Sequence, residues 1–170
     1  YGTTEIVVSA PGGDRRDFFG TPLYGTPGTR ILSTYPADLA MEEGLISPTF
    51  KPKDPLAVVD CFGRRTRGEC AVYVYLQGTS MASPHVTGVA ALIVSEFGAG
   101  SGAGFGLAPA TVESTATDHA CPTVSSAELY PDLVDLDPNV PFEDQVCVGT
   151  AAFNSWYGEG IVNAFAAVTE

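Results

Sequence analysis

Lysine and arginine are scarce in this chain of 170 residues, and they are confined to its first part. Eight basic residues stand against twenty acidic ones, so the formal net charge is -12. All eight basic residues lie within residues 1–67, whereas residues 68–170 hold twelve acidic residues and no basic one. Phosphate backbones are bound by clustered positive charge, so nucleic acid is excluded as a partner.

Long apolar runs and metal-ligand spacings are also missing. The longest apolar candidate, residues 86–94, is far shorter than the roughly 20 residues that a membrane-spanning helix needs, so no membrane partner is expected. The chain has only two histidines, His85 and His119, and no two cysteines have the CxxC spacing of zinc or dithiol redox sites. We therefore expect that no metal site is present and that no cofactor is required.

Four cysteines are present, at positions 61, 70, 121 and 147, and they allow three pairings. The simplest pairings join neighbours along the chain, Cys61 with Cys70 and Cys121 with Cys147. Together with 13 prolines and 19 glycines, they indicate a loop-rich protein stabilised by disulfides in an oxidising compartment, hence a secreted one. The alternative is four reduced, buried cysteines in a cytosolic protein.

Short β-branched runs alternate with helical patterns along the chain. Within residues 80–97 the apolar residues recur with the helical period and many of the other side chains are small, which predicts a helix packed on most of its sides. Pro84 is expected in the first turn of this helix, where its missing N–H costs nothing. Residues 5–10 are predicted to form a buried strand, residues 29–34 a second short strand and residues 71–76 an extended segment. The other predicted helices are 109–118 and 160–168, and 36–67 is interpreted as a long surface excursion.

Two charged loops offer secondary signals. Five carboxylates within residues 132–144 could gather calcium as oxygen ligands, although an exposed acidic loop is the commoner outcome for such a segment. Their spacing is not that of an EF-hand, and two prolines interrupt it. Arg64, Arg65 and Arg67 form a basic loop that could be a docking or processing site, or a solvated loop. The carboxylates are those of Asp132, Asp135, Asp137, Glu143 and Asp144.

The most informative residues lie where the strand-like run ends and the helix begins. Gly78 turns the chain, and Ser80 follows at the helix N-terminus, where unpaired N–H groups and the helix dipole favour negative charge. A serine placed there can have its own N–H beside an oxyanion that forms at its Oγ. A plain helix cap is the other interpretation of such a serine.

Residues 78–86, Gly-Thr-Ser-Met-Ala-Ser-Pro-His-Val, resemble the catalytic serine signature of the subtilisin-like serine peptidases, the subtilases. Four more segments resemble family elements in the same order: residues 5–12, 29–33, 112–116 and 157–164. The resemblance implies an α/β fold of the subtilisin type, with a mostly parallel sheet flanked by helices. On this interpretation residues 1–170 are the C-terminal part of a catalytic domain, with insertions at about 36–70 and 119–150.

The resemblance also implies roles for individual residues. Ser80 would be the nucleophile that forms an acyl-enzyme with a protein or peptide substrate, and its backbone N–H would be an oxyanion donor. Gly78 and Thr79 would contact the substrate. The implied activity is that of a secreted serine endopeptidase.

The chain departs from the family pattern in its other catalytic residues. It contains no Asp-Ser-Gly or Asp-Thr-Gly, no His-Gly-Thr and no Gly-Asn motif to supply the triad aspartate, the histidine base and the oxyanion asparagine. His85 lies about a turn and a half beyond Ser80 on the same helix and points to a different side. His119 lies at the start of the second insertion.

We therefore expect an isolated chain that is inactive and whose partner is the N-terminal portion of the same domain. Two alternatives remain. In a split peptidase, another chain supplies the missing histidine and aspartate. In a non-catalytic, disulfide-stapled acidic domain, which could bind calcium, the serine signature is only a structural relic.

Overall fold

The computed structural model describes residues 6–64, 68–98, 103–129 and 144–169, and of residues 103–105 it describes the backbone alone. The chain forms two compact units. Residues 11–81 are called the sheet unit here, and residues 1–10 with 82–170 are called the helical unit.

Three strands form the sheet of the sheet unit. They are β1 (Ile31–Thr34), β2 (Ala57–Cys61) and β3 (Cys70–Leu76), in the order β1-β3-β2. The β-branched and aromatic residues of β3 suit its central place, and its alternate residues Val72 and Val74 are buried. Two of the predicted strands are thus confirmed, with β1 two residues shorter than expected.

Both strand pairs of this sheet are antiparallel, so the expected mostly parallel sheet is not confirmed in the described residues. Only eight residues connect β2 to β3, and a parallel pair needs a crossover of a dozen or more. The short connection therefore dictates a hairpin. The mixed α/β class itself holds.

The segment predicted as a surface excursion, residues 36–67, carries the core of the sheet unit, so that prediction was wrong. It forms α1 (Ala37–Glu42) and β2, and part of its apolar side chains pack together, whereas Leu39, Val58 and Phe62 are exposed. Burying these scattered apolar residues stabilises the unit because it removes their apolar surface from water. The buried residues of this core are Ala40, Ile46, Phe50, Ala57 and Val72.

The helical unit contains α2 (Thr79–Phe97) from its fourth residue on, α3 (Ala103–Ser114), α4 (Ser126–Leu129) and α5 (Ala166–Thr169). Its core joins α2, α3 and α5 through Val89, Ile93, Ala108, Val112 and Ala167. No helix among the described residues is both long enough and apolar enough to cross a membrane.

Three expectations for the helices need correction. Leu92 and Phe97 of α2 are 49% and 41% exposed, so α2 is not packed on most sides. The second helix starts at Ala103 rather than Pro109 and ends at Ser114. The last helix is short because Gly160 has a φ of +124°, outside the helical region, and Asn163 caps Ala166 with a bond of 3.0 Å.

Residues 6–10 do not form the predicted buried strand. They make isolated bridges, Val8 with Gly158 and Ser9 with Ile161, and Val7 is half exposed. Gly158 is required at the first of these contacts because a Cβ there would lie 2.3 Å from the Val7 carbonyl oxygen. The segment is therefore held by a close approach of two loops and not by a strand ladder.

Both sequence-local disulfides are present, Cys61–Cys70 and Cys121–Cys147. The first joins directly paired residues of β2 and β3. The second, Cys121–Cys147, connects the two described parts of the predicted acidic insertion, which lie before residue 130 and after residue 143. Arg64 is exposed, as expected for the basic loop, whereas Arg65 and Arg67 lie outside the described residues.

Asn154 organises the loop that follows the second disulfide, and sequence analysis did not single it out. Its side chain is 1% exposed. Nδ2 donates to the carbonyl oxygens of His119 (2.7 Å) and Thr150 (2.9 Å), and Oδ1 accepts from the N–H groups of Trp156 and Tyr157. Four backbone groups are thus satisfied by one side chain, which is how a buried amide becomes stabilising.

Candidate active site

The strand, turn and helix predicted around Ser80 are present in the sheet unit. β3 ends at Leu76, Gln77 and Gly78 make the turn, and α2 begins at Thr79. Ser80 is the second helical residue, and it is exposed. The first four N–H groups of a helix have no intrahelical partner, so the backbone here can donate to a developing negative charge. Thr79 and Gly78 are exposed beside it.

Position 78 requires a glycine because of its backbone conformation and not because a side chain would clash with its neighbours. Its φ is +130°, a region that side-chain-bearing residues rarely adopt, whereas a Cβ placed on it would meet nothing within 4 Å. Its N–H donates to the carbonyl oxygen of Gly12 over 2.9 Å. The turn before the serine is therefore anchored to the turn that follows residues 6–10, and space above Gly78 stays open.

Pro84 lies later in α2 than expected. It is the sixth residue of the helix and not part of the first turn, so its missing N–H is the one that would pair with the Ser80 carbonyl four residues earlier. The helix continues through it to Phe97. Pro84 thus leaves the Ser80 carbonyl without its regular intrahelical partner, directly at the candidate nucleophile.

Gln77 makes a long-range contact that could not be expected from local sequence. Its Oε1 accepts a 2.7 Å hydrogen bond from the N–H of Arg15, 62 positions away in the chain. Next to it, Asp14 donates its N–H to Thr29, and Gly13, with φ of +73°, has no room for a Cβ because Arg30 Cα lies 2.9 Å from it. The bonds of Gly12 with Gly78 and of Arg15 with Gln77 therefore tie residues 12–15 to the turn that precedes Ser80.

The histidines occupy different settings. His85 is an exposed residue of α2. The ring of His119 lies against Tyr157, with centroids 4.1 Å apart, and its Nδ1 is 3.0 Å from the carbonyl oxygen of Ala120. His119 therefore packs within its own loop region in the helical unit.

The acidic segment gives no cation site in the part of the chain that is described, where no group of three potential ligands comes together. Asp132, Asp135, Asp137 and Glu143 lie outside the described residues. Asp144 accepts hydrogen bonds from Ala127 N–H (2.9 Å) and Ser126 Oγ (3.1 Å). These bonds, with a further one from Ser125, lower the pKa of Asp144, so this carboxylate caps α4.

The exposed position of Ser80 on the first turn of a helix, after a strand and a glycine turn, resembles the strand–turn–helix setting from which some serine hydrolases present a nucleophile. The model of the Subtilase family, Peptidase_S8, matches residues 5–160. The chain therefore belongs to the subtilase family, a family of serine peptidases that act on proteins. Comparisons with curated proteins and with solved structures gave no match.

Proposed function

We propose that this chain supplies the nucleophile of a secreted serine endopeptidase and that the nucleophile is Ser80. The observation that carries the proposal is the exposed position of Ser80 on the first turn of α2, within a family match over residues 5–160. Ser80 Oγ would attack the carbonyl carbon of the scissile peptide bond. The negative charge that develops on the carbonyl oxygen would be stabilised by the N–H of Ser80 and the N-terminal dipole of α2.

The hydrolysis proceeds in two steps. In the first, Ser80 Oγ bonds to the carbonyl carbon while a histidine takes its proton; the C–N bond then breaks, and the leaving amine receives that proton. In the second, the same histidine takes a proton from the attacking water, the ester C–O bond breaks as Ser80 Oγ receives that proton, and the carboxylic acid product leaves. Gly78 and Thr79 would hold the substrate backbone, since the space beside Gly78 is open.

The base, its aspartate and the oxyanion asparagine are proposed to come from the N-terminal portion of the same catalytic domain. The support is chemical, because neither histidine suits the role. His85 is five residues beyond Ser80, about 140° round the helix, and His119 is engaged with Tyr157 and Ala120. The 170-residue chain by itself is accordingly proposed to be inactive, with no cofactor required.

Secretion is supported by the two disulfides, because such bonds persist in oxidising compartments. We propose the extracellular space as the site of action, with proteins or peptides as substrates.

Labelling with a fluorophosphonate probe, which reacts only with activated serines, tests the proposal. The chain is labelled alone and together with the upstream portion of its gene product, and Ser80→Ala is compared with Ser95→Ala, an exposed serine in the last turn of the same helix. We expect labelling only with the upstream portion, lost in Ser80→Ala and kept in Ser95→Ala. Labelling of the chain alone would contradict the need for an external base. No labelling in either setting would favour the alternative in which the chain is a non-catalytic acidic domain.

A further inference from the structure

The segment between Arg15 and Gly25, called the aromatic loop here, presents apolar side chains to solvent. Phe18, Phe19 and Leu23 are 56%, 55% and 54% exposed, and Tyr24 packs edge-on against Phe19 with ring centroids 5.2 Å apart. Apolar groups clustered on a surface commonly mark a binding site. The loop lies between the family-like segments 5–12 and 29–33, so the resemblance assigns it no role.

The base of the aromatic loop is well defined. Gly25 N–H donates to the carbonyl oxygen of Arg15 over 2.9 Å and closes the loop. Arg30 Nη1 donates to the carbonyl oxygens of Gly25 and Thr26, at 3.1 and 3.0 Å. The exposed apolar residues are therefore carried on a closed loop rather than on a loose strand of chain.

Phe18 is held in a costly conformation. Its φ is +63°, in the left-handed region that a bulky residue rarely adopts. Its carbonyl oxygen accepts both the N–H (3.0 Å) and the Oγ1 hydroxyl (2.7 Å) of Thr21, which keeps the turn in this conformation. Strain of this kind concentrates at binding and active sites, where it fixes a side chain in place.

Two independent observations place the aromatic loop at the Ser80 end of the sheet. Ile31, which follows the loop region, pairs with Leu76, the last residue of β3 before the serine turn. Arg15, at the loop base, is bonded to Gln77 over 2.7 Å. Phe18 is the third residue after Arg15, Ser80 is the third residue after Gln77, and a step of three residues spans at most roughly 10 Å. An extended peptide of six to eight residues covers about 20–26 Å, so a peptide bound at Ser80 can reach the loop.

From these observations we infer that the aromatic loop is a specificity element that contacts large apolar side chains of the peptide substrate near the scissile bond. The inference rests on the proposed function, because the substrate is the peptide that Ser80 would cleave. Phe18 and Leu23 provide the contact surface, and Gln77 is a positioning residue that ties the loop to the serine turn.

The first arm of the test measures binding without chemistry. The full gene product carrying Ser80→Ala is titrated calorimetrically with the hexapeptide Ala-Ala-Phe-Leu-Ala-Ala and with its counterpart containing Ser-Ser in place of Phe-Leu. We expect tighter binding of the apolar peptide by about tenfold or more, the scale of one good apolar contact. The double variant F18S/L23S should abolish most of this preference, and Gln77→Ala should reduce it in part.

Phe62→Ser is the matched control. Phe62 is 80% exposed and belongs to the same unit, but it pairs with Glu69 beyond the Cys70 end of β3, about 20 Å along the strand from Leu76. It should leave the preference unchanged. Three outcomes would each overturn the inference. The F18S/L23S variant could keep the full preference for the apolar peptide, Phe62→Ser could lose as much of it, or the protein with an unsubstituted loop could show no preference.

The second arm separates this inference from the proposed function. Hydrolysis of p-nitrophenyl acetate, too small to reach the loop, reports on Ser80 alone and should be equal in the F18S/L23S variant and the parent. Peptide kcat/KM should fall about tenfold for the apolar peptide only. If the ester is not turned over while the Phe18-dependent binding preference persists, the proposed function fails, and only the contact between the aromatic loop and apolar peptide side chains stands.

Discussion

The two units of this chain hold their segments in place by different means. In the sheet unit, β1 and β2 are held by regular ladders to β3, and the core lies among sequence-distant apolar residues such as Ile46 and Val72. In the helical unit, long loops are held by the second disulfide and by the buried side chain of Asn154. Repeated backbone pairing in one unit and a single fully hydrogen-bonded amide in the other can therefore both hold a segment of the chain in place.

The largest expected effect comes from one buried isoleucine in each unit. Ile46→Ala in the sheet unit and Ile93→Ala in the helical unit each remove a side chain that is at most 1% exposed. The lost burial and the cavity should cost about 2–5 kcal/mol of unfolding free energy in either case. Denaturant unfolding measures this cost, with the partly exposed Val58→Ala and Leu92→Ala as controls expected to lose much less. An isoleucine that can be truncated at no cost would show that its unit lacks a packed core.

The two disulfides should differ in their contribution to stability. They close loops with sequence separations of 9 and 26, for which chain entropy predicts about 2.5 and 3.5 kcal/mol. Replacing Cys121 and Cys147 by serine should therefore lower the unfolding free energy by about 1 kcal/mol more than replacing Cys61 and Cys70. Equal losses, measured by urea unfolding, would mean that native contacts rather than loop entropy dominate.

Asn154→Ala tests whether one amide holds the loop of the helical unit. The N–H groups of the half-buried Trp156 and Tyr157 and two carbonyl oxygens lose their partner, and we expect a loss of about 2–3 kcal/mol, limited by water entering the space. Asn163→Ala, which removes the cap of Ala166, should cost only about 1 kcal/mol. Faster hydrogen exchange at Trp156 and Tyr157 should accompany the first substitution alone. A cost no larger than that of Asn163→Ala would refute the organising role of Asn154.

The smallest effects concern two carboxylates whose pKa shifts have opposite signs. Hydrogen bonds from Ala127, Ser125 and Ser126 lower the pKa of Asp144 below 3.8, so its stabilisation is present above pH 3.8 and is lost as the pH falls through the lowered value. Partial burial and the charge of Asp14 raise the pKa of Asp17, although Arg16 opposes them. Its ionisation therefore reduces stability as the pH rises through 3.8 to the raised value.

At pH 7, Asp144→Asn should accordingly lower Tm slightly, and Asp17→Asn should raise it slightly. Both differences should vanish as the pH is lowered, that of Asp144→Asn below the lowered folded-state pKa and that of Asp17→Asn below the ordinary value of 3.8. Thermal unfolding between pH 7 and pH 3 measures them, and shifts of the same sign in both variants would contradict the assignment of causes.

Parts of the fold and the candidate site could be predicted from local sequence. The run from Cys70 to Leu76 is β-branched and aromatic, and the change of period after Gly78 marks the start of a helix, so Ser80 was correctly placed at a strand–helix junction. The core of residues 36–67 could not be predicted in this way. Ile46 and Phe50 follow no helical or strand period, and they are buried through contacts with Ala40 and Val72 elsewhere in the unit.

The amino-acid sequence by itself determined the family, through the segment around Ser80, and the local elements that carry this serine. It also favoured the two disulfides that the structure contains, because each joins cysteines that are neighbours in the chain. Only the tertiary structure decided the antiparallel register, the burial of Asn154 and the bond between Arg15 and Gln77. Propensity and periodicity act over a few residues, whereas strand register and hydrogen-bond partners depend on residues that only folding brings together.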